Sequence, residues 1–151
     1  FTQAGVERAA SVLKGHLKRA RYFQCKRIDV FATAVLRNCA NSEAATAAIE
    51  AAIDHKVRVL SAREEAHLGF VGASIGAPLA AGTLIDVGGG STELTRIDGG
   101  RDFDNASMGQ GSLSSFARYV RGILPTATES EAIACRLRAR SERWRSRWWS
   151  A

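Results

Sequence analysis

The residues best suited to chemistry in this chain are the eight from Asp86 to Glu93, Asp-Val-Gly-Gly-Gly-Ser-Thr-Glu. Gly88, Gly89 and Gly90 lie between two apolar runs, where they let the backbone turn tightly and bring its amides to a ligand with no Cβ in the way. Amides converging in such a turn favour an anion, phosphate above all, and Ser91 adds a hydroxyl beside them. Asp86, at the end of the strand that feeds the turn, is placed to hold a hydrated magnesium ion. Strand alternation is expected to put Glu93 on the same face as Ser91. A glycine run alone is more often a plain hairpin; the acid before it and the hydroxyls after it set this one apart. The pattern Gly-x-x-x-x-Gly-Lys-Ser/Thr is absent, so the turn is not a P-loop.

A second group lies upstream. Ser61-Ala62-Arg63-Glu64 has the serine-to-glutamate spacing of a capping box, which puts Glu64 and Glu65 in the first turn of a helix. The positive end of the helix dipole there stabilises a carboxylate by roughly 0.3–1 kcal/mol, and an ionised carboxylate can take a proton from water. On local sequence alone, the plainer reading is that Glu64 completes the box and Glu65 favours the dipole. Arg37, following an apolar run, reads locally as a solvated strand end.

These groups need elements to hold them. Val6, Ala10, Leu13 and Leu17 recur at helical steps, so Gln3 to Tyr22 is expected to be an amphipathic helix. The run Asp29–Leu36 predicts a buried strand and a turn, and Asn41 or Ser42 caps an alanine-rich helix through about Ile53. Val57–Leu60 predicts the next strand, and the glutamate helix from Ala62 is expected to reach about Ala73. Strand, helix, strand, helix argues for a parallel sheet in an α/β lobe. Gly72 to Gly82 reads as the loop between lobes. Thr83–Val87, Ser91–Ile97 and Arg101–Ser107 then predict a β-meander, with Asp98-Gly99-Gly100 as its second turn. Helices are expected near Ser112–Arg121 and after Pro125. The expected organisation is therefore residues 1–78, 79–135 and a tail, 136–151.

The net charge of +6 suggests nucleic acid until it is located. Arg136 to Ala151 holds six arginines and one glutamate, a net of +5, leaving +1 for the rest. Arginine among Trp144, Trp148 and Trp149 could grip phosphates and stack on bases or lie on an anionic membrane. The composition equally fits an end that adds nothing to the fold, and a disordered tail without a nucleic-acid role is the expectation. Cys25, Cys39 and Cys135 are odd in number and far apart, and are expected to be reduced, buried thiols in a cytoplasmic protein. No apolar run is long enough for a membrane helix.

Three stretches together resemble the exopolyphosphatase and guanosine pentaphosphate phosphatase family. They are Ala32-Thr33-Ala34-Val35-Leu36-Arg37-Asn38-Cys39-Ala40-Asn41, Leu60-Ser61-Ala62-Arg63-Glu64-Glu65-Ala66-His67-Leu68 and Asp86 to Glu93, in the family's order and spacing. The likeness runs from Phe1 to about Arg121 and includes a Ser107-Met108-Gly109 turn. It implies parts of two ribonuclease H-like lobes of the actin/Hsp70 type, from the superfamily that also holds sugar kinases. It implies release of terminal phosphate from polyphosphate or guanosine pentaphosphate with Mg2+. By resemblance Glu65 matches the general base, Asp86 the metal region, Gly88, Gly89, Gly90, Ser91 and Glu93 the second phosphate loop, and Arg37 a substrate-contacting arginine. It also implies that a homodimer can form.

Departures from the family matter. Its first phosphate loop, Asp-x-Gly-Ser-Asn-Ser, has no counterpart here, and Ala62 stands where glycine is common. A fragment incomplete at both ends is therefore expected, weak or inactive alone, with strand edges open to aggregation or dimerisation. Three other readings stay open: an ATP-dependent kinase or ATPase of the same superfamily, a non-catalytic phosphonucleotide-binding module, and a nucleic-acid binder acting through the tail.

Overall fold

The computed structural model describes residues 1–148, with side chains through Glu142. The chain forms two compact units, Phe1–Ser61 and Ala62–Ala151.

The first unit begins with α1, Gln3–Tyr22, capped by the Thr2 hydroxyl, which accepts from the Gly5 amide at 3.1 Å. Its buried stripe of Val6, Ala10 and Leu17 packs with Leu36, Ala45, Ile49, Ile53 and Val57. Strand β1, Val30–Ala32, pairs in parallel with β2, Val57–Val59, with helices α2, Ala34–Arg37, and α3, Ser42–Ile53, between them. Of the run Asp29–Leu36, expected to hold a buried strand and a turn, three residues form the strand and the chain turns helical at Ala34. Phe31 and Val35 of that run are exposed. Asn41 stands at the N-cap of α3 as expected, but its amide does not cap the helix. It donates instead to the Phe1 carbonyl at 2.9 Å.

The turn between α3 and β2 is closed by Glu50. Its carboxylate accepts from the Val57 amide at 2.8 Å and from Lys56 Nζ at 3.1 Å. The Val57 amide first, and Lys56 second, hold its carboxyl below the ordinary carboxylate range. A folded value below the unfolded one stabilises the fold above the unfolded value, and the gain fades as pH falls through the folded value. Glu50→Gln is therefore expected to lower the melting temperature at pH 7, with the gap to the parent chain closing in acid. Paired thermal melts across that range check this.

The second unit opens with α4, Ala62–Gly76, three residues longer than expected. The expected meander follows as β3, Gly82–Val87, β4, Thr92–Asp98, and β5, Arg101–Met108, all antiparallel in the order β3-β4-β5. Gly99 and Gly100 have φ of 56° and 74°, the left-handed pair that a tight two-residue hairpin needs. A register shift between Arg96 and Ile97 marks a bulge in the β4–β5 ladder: Arg96 faces Asp104, Ile97 faces Asp102, and Phe103 is the extra residue. Helices α5, Ser112–Tyr119, and α6, Ala127–Trp148, complete the unit.

The expected boundary near residue 78 would group α4 with the preceding strands; in the structure α4 packs on β3, β4 and β5. Residues 136–148, expected to be disordered, continue α6 as helix, while 149–151 lie outside the described residues. Of the three cysteines, Cys25 and Cys135 are exposed and Cys39 is half-buried, so the expectation of buried thiols fails; all three are free. No helix among the described residues is long and apolar enough to cross a membrane.

The sheet of the second unit has two unlike faces. Residues directly opposite in an antiparallel pair share a face, so Asp86, Glu93 and Ser107 form one row on the side that meets α4. Ile85, Leu94 and Ala106 form a row on the other side, where Leu94, Ala106 and Met108 make a small core with Leu137 of α6. A groove of about 640 Å³ runs along that side between the sheet, α5 and α6. Among the described residues β3 pairs with β4 alone and β1 with β2 alone, so one edge of each is open, as the sequence led us to expect.

Candidate active site

The Gly88–Ser91 turn is built by three kinds of bond. The Gly88 amide donates to the Ser91 carbonyl at 2.9 Å, closing the hairpin. The Gly88 carbonyl accepts from the Ser112 amide at 2.8 Å and from the Ser112 hydroxyl at 3.1 Å. The Gly89 carbonyl accepts from the Ser114 amide at 3.0 Å. The first N–H groups of a helix have no partner inside it. Here α5 spends them on the carbonyls of the turn, which fixes the turn on the helix end.

This junction depends on Gly111, a residue the motif did not single out. A Cβ there would lie 2.6 Å from the Gly89 carbonyl carbon and 2.7 Å from its oxygen, and closer still to the Gly88 oxygen. Glycine at 111 has no side chain to cap α5, and the Ser114 hydroxyl compensates by accepting from the Gly111 amide at 2.8 Å. Gly88 and Gly89 are also required for proximity: a Cβ on Gly88 would sit 3.2 Å from the Ser91 oxygen, and one on Gly89 3.1 Å from Leu113. Neither has positive φ.

Among the described residues the amides of Gly89, Gly90 and Ser91 donate to no protein group. That is the donor set of an anion-binding turn. The Gly88 amide, expected among these donors, is already committed to Ser91. β4 begins at Thr92, so alternation does not extend to Ser91, which is buried at the turn itself.

Asp86 and Glu93 face each other across β3 and β4 but differ in environment. Glu93 is 3% exposed and accepts from the Ser107 hydroxyl at 2.8 Å, a partner supplied by β5. Asp86 is exposed and, among the described residues, its carboxylate has no hydrogen bond or ion pair. Its carboxylate lies against α4: a Cβ on Gly69 would be 3.5 Å from Asp86 Oδ2. Glu65 is four residues before Gly69, hence one turn along the same helix face. The α4 face that carries half-buried Glu65 is therefore the face that meets Asp86. His67, two residues on, ties α4 to β5 through Asp102, Nδ1 to Oδ2 at 2.9 Å.

Seven of the eight site residues expected from sequence thus fall in the second unit, around one corner of its sheet. Arg37 belongs to the first unit, where its Nη1 donates to the Leu60 carbonyl at 2.9 Å. Among the described residues no group of three metal-ligating side chains converges. Asp86 fits the requirement of hydrated magnesium, which keeps most of its waters and takes one or two carboxylates together with substrate phosphates.

The fold is shared with solved structures. An exopolyphosphatase from Cytophaga hutchinsonii superposes with a TM-score of 0.77 at 19% identity, over 96% of this chain and 49% of that one. An exopolyphosphatase-like protein gives 0.74 at 23%, over 95% and 46%. The Ppx/GppA enzyme of Aquifex aeolicus gives 0.68 at 20%, over 95% and 48%. The chain spans about half the length of these structures, in the α/β fold of the actin-like type that the sequence led us to expect. Residues 1–146 match the Ppx/GppA phosphatase family, and the chain belongs to that family.

Proposed function

We propose that this chain supplies the water-activating and phosphate-holding corner of a phosphoanhydride hydrolase that releases terminal phosphate from inorganic polyphosphate or guanosine pentaphosphate. The observation that carries the reading is the shared corner. Uncommitted turn amides, an exposed carboxylate at the strand end and a glutamate on the facing helix surface lie in one unit. Hydrolysis of a phosphoanhydride needs positioned water and neutralised charge more than covalent chemistry by the protein. Glu65 takes the proton of the attacking water. The amides of Gly89, Gly90 and Ser91 hold a phosphate oxygen. Glu93, fixed by Ser107, shapes the turn, and Asp86 would hold hydrated Mg2+. Bound there, magnesium would neutralise phosphate charge. Arg37 is assigned a bidentate phosphate contact on family resemblance. The open strand edges favour a homodimer, and a cytoplasmic location suits both substrates.

Phosphate release from both substrates is the test, with Mg2+ titrated over the parent chain and Asp86→Asn. The variant is expected to need roughly tenfold more Mg2+ for half-maximal effect, the cost of about one carboxylate–cation interaction. An unchanged Mg2+ requirement would remove Asp86 from the metal's neighbourhood. Mg2+-dependent binding of either substrate with no release would leave the chain as a phosphate-binding module.

A further inference from the structure

We propose a second oxyanion site, outside the glycine turn, in the pocket between α5 and α6. The pocket holds about 140 Å³ and is lined by Gln110, Ser114, Ser115, Arg118, Arg136 and Arg140, among others, with no carboxylate on its wall. Arg136 and Arg140 are four residues apart on α6, so their guanidinium groups lie on one helix face and repel unless an anion joins them. Arg138, between them in sequence, is paired with Glu131 at 2.8 Å. Among the described residues none of Arg118, Arg136 and Arg140 has a carboxylate partner. Arg118 is held over the Tyr119 ring, its Cζ 5.6 Å from the centroid. The Arg140 Nη1 comes within 3.6 Å of where a Cβ on Gly109 would be.

A separate observation points to a ligand. Gln110 is 6% exposed, and its Nε2 is the buried side-chain atom among the described residues that has no hydrogen-bond partner. A buried amide donor without an acceptor is costly, so such groups are nearly always satisfied. Gln110 lines both this pocket and the apolar groove, and an oxyanion among the three arginines would supply the missing acceptor, because each of its oxygens can take several N–H donors and arginine presents those donors as a planar fork. The volume suits one tetrahedral oxyanion, and phosphate is the chemistry proposed. The inference rests on this pocket's own residues and does not require the hydrolase reading. The two sites share α5: Ser114 lines the pocket while its amide donates to the Gly89 carbonyl.

The test titrates orthophosphate and tripolyphosphate into the full chain in physiological chloride, following the Gln110 side-chain amide and the arginine Nε–Hε signals by NMR. Saturable shifts at Gln110 and at the three arginines are expected. The Arg136→Gln, Arg140→Gln double variant should weaken binding by at least roughly tenfold, as loss of charge-assisted hydrogen bonds would. Its melting temperature should stay within a few degrees of the parent, since both substitutions spare the core. If the double variant fails to fold, Arg118→Gln alone must reproduce the loss. Tighter tripolyphosphate binding would mark a phosphate carried on a chain; equal or tighter orthophosphate binding would mark the free ion. Shifts confined to the glycine turn, an unchanged affinity in the variants, or no saturable shift at Gln110 would overturn the proposal.

Discussion

Glu65→Gln is expected to cut phosphate release by about 100-fold to 10,000-fold, the range for removing a positioned general base, while polyphosphate binding changes less than roughly threefold. The amide keeps the size and planarity of the carboxylate but cannot accept a proton from water. Binding should persist because the groups assigned to hold phosphate are backbone amides of the Gly88–Ser91 turn, on a different element from Glu65. Loss of the helix-dipole contribution alone would cost about 0.3–1 kcal/mol. The same measurement on Glu64→Gln provides the contrast, with release expected within about threefold of the parent. Equal losses in the two variants would place the base elsewhere. Loss of binding in Glu65→Gln would make Glu65 a ligand-holding residue.

Gly111→Ala is expected to destabilise the second unit by about 3 kcal/mol and to weaken polyphosphate binding at least roughly tenfold. The added methyl meets backbone, the Gly88 and Gly89 carbonyls, which cannot swing aside as a side chain would. Relief requires α5 to withdraw, which breaks the bonds from the Ser112 and Ser114 amides together. Each such bond contributes about 1 kcal/mol net, and overpacking adds about 1–3 kcal/mol. The turn would then lose the anchor that aims its free amides. Gly72→Ala is the matched control, since nothing lies within 4 Å of its Cβ position in α4. There the better helix propensity of alanine should stabilise by up to about 1 kcal/mol. Chemical denaturation of both variants decides: two losses of similar size would mean that glycine at 111 is not demanded by the turn.

Sequence patterning was most informative where a single element settles its own form. Val6, Ala10 and Leu17 gave α1 its bounds, Gln3–Tyr22, because a helix buries one stripe regardless of its partners. The meander was legible because Asp98-Gly99-Gly100 and the Gly88–Gly90 run punctuate three strands. Short apolar runs were ambiguous. The run Asp29–Leu36 did not show where its strand stops and its turn begins: Ala34-Val35-Leu36-Arg37 forms a helical turn, burying Ala34 and Leu36 and leaving Val35 outside. Over four residues the two periods are hard to separate.

The site divides along the same line. Asp86, the glycines and Glu93 lie within one hairpin, so sequence alone could pair the two acids. Ser107 on Glu93, Gly111 against the turn and Gln110 in the arginine pocket depend on β5 and α5 returning to that hairpin, which no local pattern announces. The signal that existed was Ser107-Met108-Gly109-Gln110-Gly111, two glycines two residues apart just before a helix. The tail misled because arginine and tryptophan composition says nothing about continuation of a helix, and Arg136 and Arg140 prove to be packed beside α5.

The bulge at Arg96–Ile97 bears on how the length of this chain can vary. Because Phe103 is the surplus residue, Asp102 stays on the side of the sheet that meets α4, where His67 holds it. Had the ladder run on evenly with the same residues, Ile97 would face Phe103 and Asp102 would turn to the opposite side, away from His67. Removing Phe103 would straighten β5 without reversing Asp102. A residue added beside the bulge would either widen it or swap the neighbouring positions across the sheet. The position is therefore tolerant of deletion in evolution: β5 can lose a residue here and keep its faces.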